Sequence, residues 1–432
     1  MLLRQPSMWR RIFRTKVVKA TRSHHRKIID TDVKVEEERL PHYTAQEYFP
    51  VHIGDLFESR YEILGKLGYG AHSTVWLCRD RKDPRYAALK VSTSIAGVPN
   101  ATYREKVIYE HLSKLPLGHP GGSMIRSLHD TFEIQGPSGE HQCLVLEPMF
   151  MSMLEMMRPS GEPLPLPLLK ACVRRILKGL DFLHSEAGVV HTGEGSNTGY
   201  DLPRLTDSPT DLKTDNIMLS IDDESMLDRF VEAEKTAPSP CKVIDSTRAI
   251  YASRPLPKPL KGQSYGVPML CDFGEARIGL SHSTRPRVQP DIYRAPEVMF
   301  EMPWGPPVDI WNLAGLIWDL FENEHLFGGV FDEDGVHDPF LHLAMITGLL
   351  GPAPPEFVTR SETTDQCFDS QGRWIAHEHA PVPRESLEDR EHRLEGLSQE
   401  VFLDFIRAML QWLPEKRLTA KQLLEHAWLQ ET

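Results

Sequence analysis

The hydrophobic positions in the first part of the chain fall into short segments that alternate with turn residues. Val, Leu, Ile, Trp and Tyr cluster at 61–67, 73–78, 86–91 and 143–146, and Gly, Asp or Pro separate these segments. Such runs predict strands joined by turns. The segment 102–115 instead carries its apolar residues at helical spacing. The pattern therefore predicts a small antiparallel sheet with one main helix.

Later in the chain the pattern becomes helical. Apolar residues recur at steps of three and four from Leu168 to Leu183, which predicts a long amphipathic helix. The segment 308–322 is apolar on nearly all sides, which predicts a helix buried in the larger part of the fold. Thr419, with Gln422 three positions on, predicts a capped final helix.

These patterns divide the chain into three parts. Residues 1–50 lack a clear hydrophobic period and change from basic to acidic, so they predict a mostly flexible leader. Residues 51–147 form the predicted small β lobe, and residues 148–430 form the larger, mostly α-helical lobe. The predicted fold class is therefore α+β with two lobes, and the length allows a cleft between them.

Charge and cysteine usage argue against several classes of protein. The formal net charge is −12 at pH 7, which argues against direct nucleic-acid binding and suits either a cationic partner or a plain solvated surface. Six cysteines without a C-x-x-C pair predict neither a disulfide framework nor a zinc site. No run reaches the roughly 18 apolar residues of a membrane span. We therefore expect a soluble monomer without a membrane partner.

The leader has an unusual charge distribution. Residues 1–27 contain nine lysines and arginines and no acidic residue. A transit peptide and a disordered basic arm share this composition. We expect a cytoplasmic or nuclear location, or both, and mitochondrial targeting stays open as an alternative.

Two glycines, a lysine and a glutamate in the first lobe have a spacing that suits bound phosphates. The string LGYGAHSTV at 67–75 places Gly68 and Gly70 between two strands, where the missing side chains let backbone N–H groups approach phosphate oxygens. An ordinary hairpin turn is the alternative interpretation. Lys90 ends an apolar strand and Glu105 lies on the predicted helix, and an ion pair between them would hold nucleotide phosphates.

Three further motifs follow in order along the chain. The string DLKTDN at 211–216 has the spacing that brings a carboxylate to a substrate hydroxyl, a cation to a transferred phosphate and an amide to Mg²⁺. The string DFG at 272–274 supplies the main Mg²⁺ carboxylate, and APE at 295–297 closes the segment. Any one of these strings can arise by chance in an unrelated protein, but the ordered set predicts phosphoryl transfer.

With these motifs in place, residues 61–428 resemble the protein kinase superfamily, and within it the serine/arginine-protein kinases, in a short form without their long spacer. The resemblance rests on IGDLFESRYEILGKLGYGAHSTVWL at 53–77, where Ser73 replaces the usual third glycine, and on VDIWNLAGLIWDLFENEHLF at 308–327. The string HDPFLHLAMITGLLG at 337–351 is similar to the extra helical insert of the group that includes mitogen-activated and cyclin-dependent kinases.

The resemblance implies use of ATP and Mg²⁺, and it implies roles for individual residues. Catalysis would fall to Asp211, Lys213 and Asn216. The metal would be held by Asn216 and Asp272. The ATP-binding residues would be Leu67, Gly68, Tyr69, Gly70, Ala71, His72, Ser73, Thr74, Val75, Ala88, Lys90, Glu105, Glu147 and Met149.

The same resemblance implies structural roles away from the nucleotide. Asp309 would anchor the catalytic loop from the buried helix, and Arg417 would pair with Glu297. Thr192 stands where many kinases have an arginine that holds a phosphorylated activation loop. Without that cation a phosphate gains no bidentate partner, so the sequence predicts a loop that is not switched by phosphorylation.

The catalytic loop departs from the family pattern. His191 and Thr192 are separated from Asp211 by residues 193–210, a polar segment rich in Gly, Pro, Ser and Thr, and removing it restores HTDLKTDN. Misplacing a catalytic group by about 1 Å can cost roughly 100-fold in rate. We hypothesise that the segment is translated intron, because codons for its ends can encode splice signals and its removal keeps the reading frame. A surface loop that leaves Asp211 in place is the alternative.

The sequence leaves three functions to compare. The leading one is a serine/threonine protein kinase, since Lys213 is the residue expected of that class, with Arg/Ser-rich protein substrates implied by the resemblance. Acidic residues such as Glu322, Glu324, Asp332, Glu333 and Asp334 would supply a docking charge or simply a solvated surface. A pseudokinase scaffold is the alternative that the segment 193–210 favours. A small-molecule kinase fits less well, because the APE motif and the buried helix belong to a protein-substrate platform.

Overall fold

The computed structural model describes residues 26–41, 43–94, 101–116, 118–157, 161–192, 216–283 and 288–430. Three of the features singled out in the sequence lie outside these ranges: Asp211, Lys213 and the segment 193–210. Most of the basic leader also lies outside them.

The first lobe is a six-stranded antiparallel sheet with one α-helix beside it. The strands pair in the order β1-β2-β3-β4-β6-β5. Helix α1 packs against β6. The elements are β1 (Leu56–Phe57), β2 (Tyr61–Gly70), β3 (Ser73–Asp80), β4 (Arg85–Ser92), α1 (Ala101–Leu112), β5 (Leu128–Gly136) and β6 (Gly139–Leu146).

This sheet confirms the four strand segments predicted from the sequence and adds a fifth long strand, β5. Strand β5 pairs with β6 over its whole length, from Leu128 opposite Leu146 to Gly136 opposite Gly139. It was missed because its residues are only half-buried, so that no clean alternation of apolar and polar residues appears.

The second lobe is mostly helical and surrounds one central helix, α6. Thirteen of the sixteen residues of α6 are buried, including Trp311 and Trp318, as its nearly continuous apolar sequence predicts. The α-helices are α2 (Met153–Met157), α3 (Leu166–Phe182), α4 (Ser225–Thr236), α5 (Pro296–Met299), α6 (Pro307–Glu322), α7 (Pro339–Leu350), α8 (Pro355–Val358), α9 (Leu387–Arg390), α10 (Leu397–Met409), α11 (Ala420–Leu424) and α12 (Ala427–Gln430).

Four of the six short strands that follow the first lobe frame the base of the cleft. Strand β8 pairs with β11 and β7 pairs with β12, both antiparallel. The short strands are β7 (Val189–Val190), β8 (Ile217–Leu219), β9 (Cys241–Val243), β10 (Ala249–Tyr251), β11 (Pro268–Leu270) and β12 (Arg277–Ile278). The two-lobed α+β architecture expected from the sequence is confirmed.

Most predicted helices are present, and their ends have identifiable causes. Helix α3 covers the long amphipathic segment, and α7 begins at Pro339 after Asp338, whose carboxylate accepts the N–H groups of Phe340 and Leu341. Thr419 and Gln422 form the expected capping box. The final segment, predicted as one helix, is divided at Glu425 into α11 and α12.

A segment between β8 and β11, residues 220–267, reaches from the second lobe to the first, and we call it the insert arm. It contains α4 and the hairpin of β9 and β10. Phe230 of α4 lies against Gly65 of β2, where a Cβ would come within 2.7 Å of its ring. The hydroxyl of Tyr86 donates to Asp228 at 2.6 Å. The arm thus connects the two lobes by packing and by hydrogen bonding.

Residues 26–50, which we call the N-terminal strap, differ from the flexible leader expected from the sequence. The backbone of the strap pairs with Cys241 of β9, since Ile29 N–H donates to Cys241 C=O at 2.8 Å. Glu37 and Tyr48 are buried, with 6% and 5% exposure. The strap lacks a hydrophobic period because ion pairs and isolated apolar residues, rather than one apolar face, hold it.

All six cysteines lie among the described residues, and each is buried and unpaired. Among the described residues no helix is both long and apolar enough to cross a membrane.

Candidate active site

The glycine-rich hairpin is formed by the end of β2 and the start of β3. Gly70 pairs with Ser73 across a two-residue turn, and Gly68 pairs with Val75. A Cβ on Gly68 or Gly70 would meet no atom within 4 Å, and neither glycine has a positive φ. Packing and backbone conformation therefore do not require glycine at these positions. Glycine at these positions would instead let a ligand approach the backbone closely.

The predicted ATP-binding residues of the first lobe lie on this hairpin and the neighbouring strand. Ser73 and Thr74 are buried, whereas Tyr69, Ala71 and His72 are exposed at the turn. The half-buried members are Leu67, Gly68, Gly70 and Val75. Strand β4 pairs with β3 so that Lys90 lies opposite Val75. The sheet thereby brings the hairpin and the lysine to one edge of the cleft.

Lys90 joins the first lobe to the DFG segment. Its ammonium lies 2.6 Å from Glu105 Oε2 and 3.5 Å from Asp272 Oδ1. The side chain of Glu105 is 1% exposed and that of Asp272 is 35% exposed. The pair predicted between Lys90 and Glu105 is therefore formed, and the carboxylate of Asp272 stays open to the cleft.

The charges in this cluster support one another. Burial alone would lower the pKa of Lys90, but the carboxylates of Asp272 and Glu105 outweigh it and raise that pKa. Burial alone would raise the pKa of Asp272, but the Lys90 cation and the Gly274 N–H outweigh it and lower that pKa. The cluster thus holds an ammonium and an ionised carboxylate at neutral pH, as binding of phosphate and metal requires.

Asp272 and Asn216, the predicted metal ligands, are brought close by their backbones. The N–H of Cys271 donates to Asn216 C=O at 2.8 Å, and the N–H of Gly274 donates to Asp272 Oδ1 at 3.2 Å. Within the described ranges no group of three His, Cys, Asp or Glu side chains could hold a metal. Mg²⁺ needs only one or two protein oxygens beside substrate phosphates and water, so these two side chains fit it.

Asp309 of α6 fixes the start of the catalytic loop. Its carboxylate accepts the backbone N–H groups of His191 at 2.8 Å and Thr192 at 2.7 Å, and it lies 2.8 Å from His184 Nε2. Burial would raise the pKa of Asp309, but the hydrogen bond and charge of His184, together with the contacts of His191, outweigh it and lower that pKa. Thr192 has a φ of 64° and no exposed area. The anchoring role expected of Asp309 is confirmed.

The start of the activation segment is held by three residues that the sequence did not single out and by Thr192, which it did. Arg104 of α1 donates its Nε to Gly274 C=O at 2.8 Å and forms an ion pair with Glu275. Arg277 contacts the same carboxylate at 3.0 Å, and the Thr192 hydroxyl donates to Glu275 C=O at 2.7 Å. Glu275 thus connects helix α1, the activation segment and the start of the catalytic loop. In the sequence, only the position of Glu275 directly after DFG pointed to these contacts.

The hinge between the lobes follows Leu146. Glu147 N–H donates to Ser127 C=O at 2.9 Å, and the Nε of Arg126 donates to Glu147 C=O at 2.8 Å. Met149 is 4% exposed. Arg126 was missed by sequence reasoning, because a single arginine ahead of a strand carries no signal.

Behind the activation segment, Glu297 of the APE motif pairs with Arg417. Both guanidinium nitrogens lie 2.7 Å from the two carboxylate oxygens, and neither side chain exceeds 1% exposure. This bidentate pair, expected from the resemblance, is confirmed.

With this geometry established, comparisons with known proteins identify what the chain is similar to. A family model described as the protein kinase domain matches residues 209–429. A serine/threonine protein kinase of Aspergillus fumigatus is 42% identical over 93% of this chain and 92% of the relative. A kinase of Physarum polycephalum named SRPK is 28% identical over 91% of each chain.

A more distant relative and a solved structure agree with these matches. The protein kinase dsk1 of Schizosaccharomyces pombe is 26% identical over 92% of this chain and 86% of its own. A crystal structure described as a kinase domain superposes with a TM-score of 0.63 at 21% identity, covering 89% of this chain and 99% of the other. At that identity the structural match concerns the fold alone.

Proposed function

This chain belongs to the protein kinase family as an ATP-dependent serine/threonine kinase, and from that premise we propose that it uses Mg²⁺ to phosphorylate serines in Arg/Ser-rich protein segments. The observation that carries the proposal is the ion-pair cluster at the cleft. Lys90 lies 2.6 Å from Glu105 and 3.5 Å from Asp272, which is the arrangement that phosphoryl transfer needs.

Each residue of the cluster has a part in the proposed reaction. Lys90, fixed by Glu105, would hold the α- and β-phosphates of ATP under the glycine-rich turn. Asp272 and Asn216 would hold Mg²⁺, whose charge offsets the charge that develops on the transferred group. The open Asp272 carboxylate and the absence of side chains at Gly68 and Gly70 support these parts.

The nucleobase would bind at the hinge. Ala88 is fully buried opposite Leu146, and the two form the back of the proposed adenine site. The Met149 N–H would contact the base, and so would the Glu147 C=O through its second lone pair, since the first accepts from Arg126. The described residues show no intramolecular partner for the Met149 N–H, which supports this part.

Asp211 and Lys213 would complete the chemistry. Asp211 would orient the substrate hydroxyl and accept its proton, and Lys213 would stabilise the transferred phosphate. Both residues lie outside the described ranges. The Asp309 anchor at Thr192 and the backbone hydrogen bond of Asn216 to Cys271, directly before DFG, support the proposal at the two ends of this loop.

The substrate class is proposed from charge and from relatives. The Physarum polycephalum relative is named SRPK, and a mouse relative that is 26% identical is named SRSF protein kinase 3. These names belong to those proteins, and they support the proposal here. Among the candidate docking acids, Glu324, Asp332, Glu333 and Asp334 are exposed. Glu322 differs, because burial raises its pKa to about 7 and weakens it as an arginine partner at neutral pH.

The proposed substrate class is tested with two matched peptides. One peptide alternates Arg and Ser, and in the other Gln replaces every Arg. Each charge-assisted contact contributes about 1.5–3 kcal/mol, so we expect kcat/KM to favour the Arg peptide by roughly 10- to 100-fold. The Asp272→Asn variant should transfer no phosphate to either peptide. Equal rates on both peptides would contradict the substrate class but leave the kinase activity standing.

We also propose a monomer that resides in the cytoplasm, the nucleus or both. The six buried, unpaired cysteines suit a reducing compartment. The basic leader keeps mitochondrial targeting as the alternative. Imaging of the full chain with a C-terminal fluorescent tag decides between them, since accumulation in mitochondria would contradict the proposed location.

A further inference from the structure

The tip of the glycine-rich hairpin is held from outside the nucleotide cleft. The hydroxyl of Tyr48 lies 3.0 Å from Gly70 C=O and 3.2 Å from Ala71 C=O. One hydroxyl proton therefore serves two consecutive carbonyl groups of the turn. Among the described residues, neither the Ala71 N–H nor the His72 N–H has a hydrogen-bond acceptor. Tyr48 thus fixes the acceptors of the turn and leaves two of its donors available.

The residues around Tyr48 tie the strap to the same hairpin and to the lysine strand. The N–H of Ser94, just after β4, donates to Glu47 C=O at 2.8 Å. The N–H of Thr93 donates to His72 C=O at 2.9 Å. The strap therefore contacts both the glycine-rich turn and the end of the strand that carries Lys90.

A buried ion pair fixes the strap a second time, below the turn. Lys66 lies in β2 directly before the LGYG string and is 1% exposed, and its ammonium pairs with the carboxylate of Glu37. Glu36 lies 3.7 Å from the same ammonium. A lysine this deeply buried needs a partner charge, because burying it alone costs several kcal/mol. The pair therefore links the strap to the strand that leads into the turn.

The insert arm holds the strap from behind. Arg248 donates to Tyr48 C=O at 2.8 Å, so the backbone of Tyr48 is fixed while its hydroxyl holds the turn. Lys242 contacts the Glu38 carboxylate at 2.8 Å, and the Ser253 hydroxyl donates to Glu36 at 2.6 Å. Because the arm joins the base of the cleft through β8 and β11, Tyr48 is positioned relative to both lobes.

We propose that Tyr48 is a positioning residue for ATP, which acts by holding the carbonyl groups of Gly70 and Ala71 so that the backbone donors of the turn face the phosphates. The proposal rests on the proposed function of the cleft. Tyr48 would not touch the nucleotide, and its effect would be confined to the phosphate end. The base would bind with or without the Tyr48 hydroxyl.

The test is the Tyr48→Phe variant of the full chain, compared with Tyr43→Phe. The two rings lie 5.2 Å apart on the strap, and only Tyr48 bonds the turn. Binding of adenosine and of a non-hydrolysable ATP analogue with Mg²⁺ is measured by calorimetry. Tyr48→Phe should weaken analogue binding about 3- to 10-fold, which corresponds to about 0.7–1.4 kcal/mol. Its adenosine affinity, and both affinities of Tyr43→Phe, should stay within about twofold of the wild type.

The outcomes separate the inference from the function beneath it. Unchanged analogue binding by Tyr48→Phe overturns the inference alone. An equal loss of adenosine and analogue binding also overturns it, because it indicates a general change of the lobe. A wild-type chain that binds the Mg²⁺ analogue no more tightly than adenosine contradicts the proposed phosphate site itself. Because binding is measured without turnover, the test does not depend on the catalytic step.

Discussion

Removing one partner of the buried pair between Glu297 and Arg417 should destabilise the chain strongly. The guanidinium contacts both carboxylate oxygens at 2.7 Å, and the two side chains are 1% and 0% exposed. Arg417 also donates to Pro307 C=O and Gln411 C=O, each at 3.0 Å, and lies over the Trp311 ring. Glu297→Gln keeps the shape of the side chain but removes its charge.

The magnitude follows from burial. An unpaired charge left by removing one partner of a buried pair costs about 3–5 kcal/mol. Glu297→Gln and Arg417→Met should each cost an amount in that range, with Arg417→Met the larger because two carbonyl groups also lose their donors. In the double variant no charge is left unpaired, so its cost should fall below the sum by about 2–3 kcal/mol.

The assay is urea unfolding of the four proteins, monitored by tryptophan fluorescence. The matched control is Arg360→Met, because Arg360 pairs with Glu415 at 33% and 49% exposure and should cost less than about 1 kcal/mol. A cost below about 1 kcal/mol for Glu297→Gln would refute the reasoning. Strict additivity of the two single variants would refute it as well, because it would mean that the charges do not interact.

Three further predictions concern the cleft, pH and the transcript. Glu105→Gln should raise the KM for ATP on the order of tenfold. The control variant Glu110→Gln, on the exposed face of the same helix, should leave the KM unchanged, and an equal KM for the two variants would contradict the role of the ion pair. Burial lowers the pKa of His342 well below its usual value, and the nearby His337 and Arg294 lower it further. Below about pH 6.5 only the unfolded chain therefore gains this proton, and the free energy of unfolding falls by up to about 1.4 kcal/mol per pH unit. Urea unfolding at pH 7.5 and 5.5 should show this loss in the wild type and a smaller loss in His342→Phe. Most mature transcripts should lack the codons for 193–210, and their retention would contradict the intron hypothesis.

Local patterns sufficed for the elements and for one part of the site. The ion pair of Lys90 and Glu105 was predictable because a lysine in a strand and a glutamate in the following helix form the pair that holds the ATP phosphates in kinases. Asp309 and the pair of Glu297 with Arg417 followed from the resemblance. Helix α4 was predictable in principle, since Met226, Leu227, Phe230 and Val231 recur at steps of one, three and four.

The rest of the site depends on contacts between segments that are distant in sequence. Tyr48 meets Gly70, and Arg104 meets Glu275 across 171 positions. No periodicity reports such pairs, because each residue alone looks like an ordinary polar surface group. The N-terminal strap was expected to be flexible for the same reason. Glu37 is buried in an ion pair with the buried Lys66, and the sequence around Glu37 does not show this partner.

Phosphate transfer by the full chain and by a form lacking residues 193–210 tests the central claim most directly. Both proteins are incubated with Mg²⁺, radiolabelled ATP and the Arg/Ser peptide, and Asp272→Asn in the deletion form serves as the inactive control. We expect the deletion form to transfer phosphate at least about 100-fold faster than the full chain, because the segment separates Asp211 from the anchor that Asp309 provides at Thr192. Equal activity of the two forms would contradict a disabling segment, and inactivity of both would contradict the kinase function proposed for this cleft.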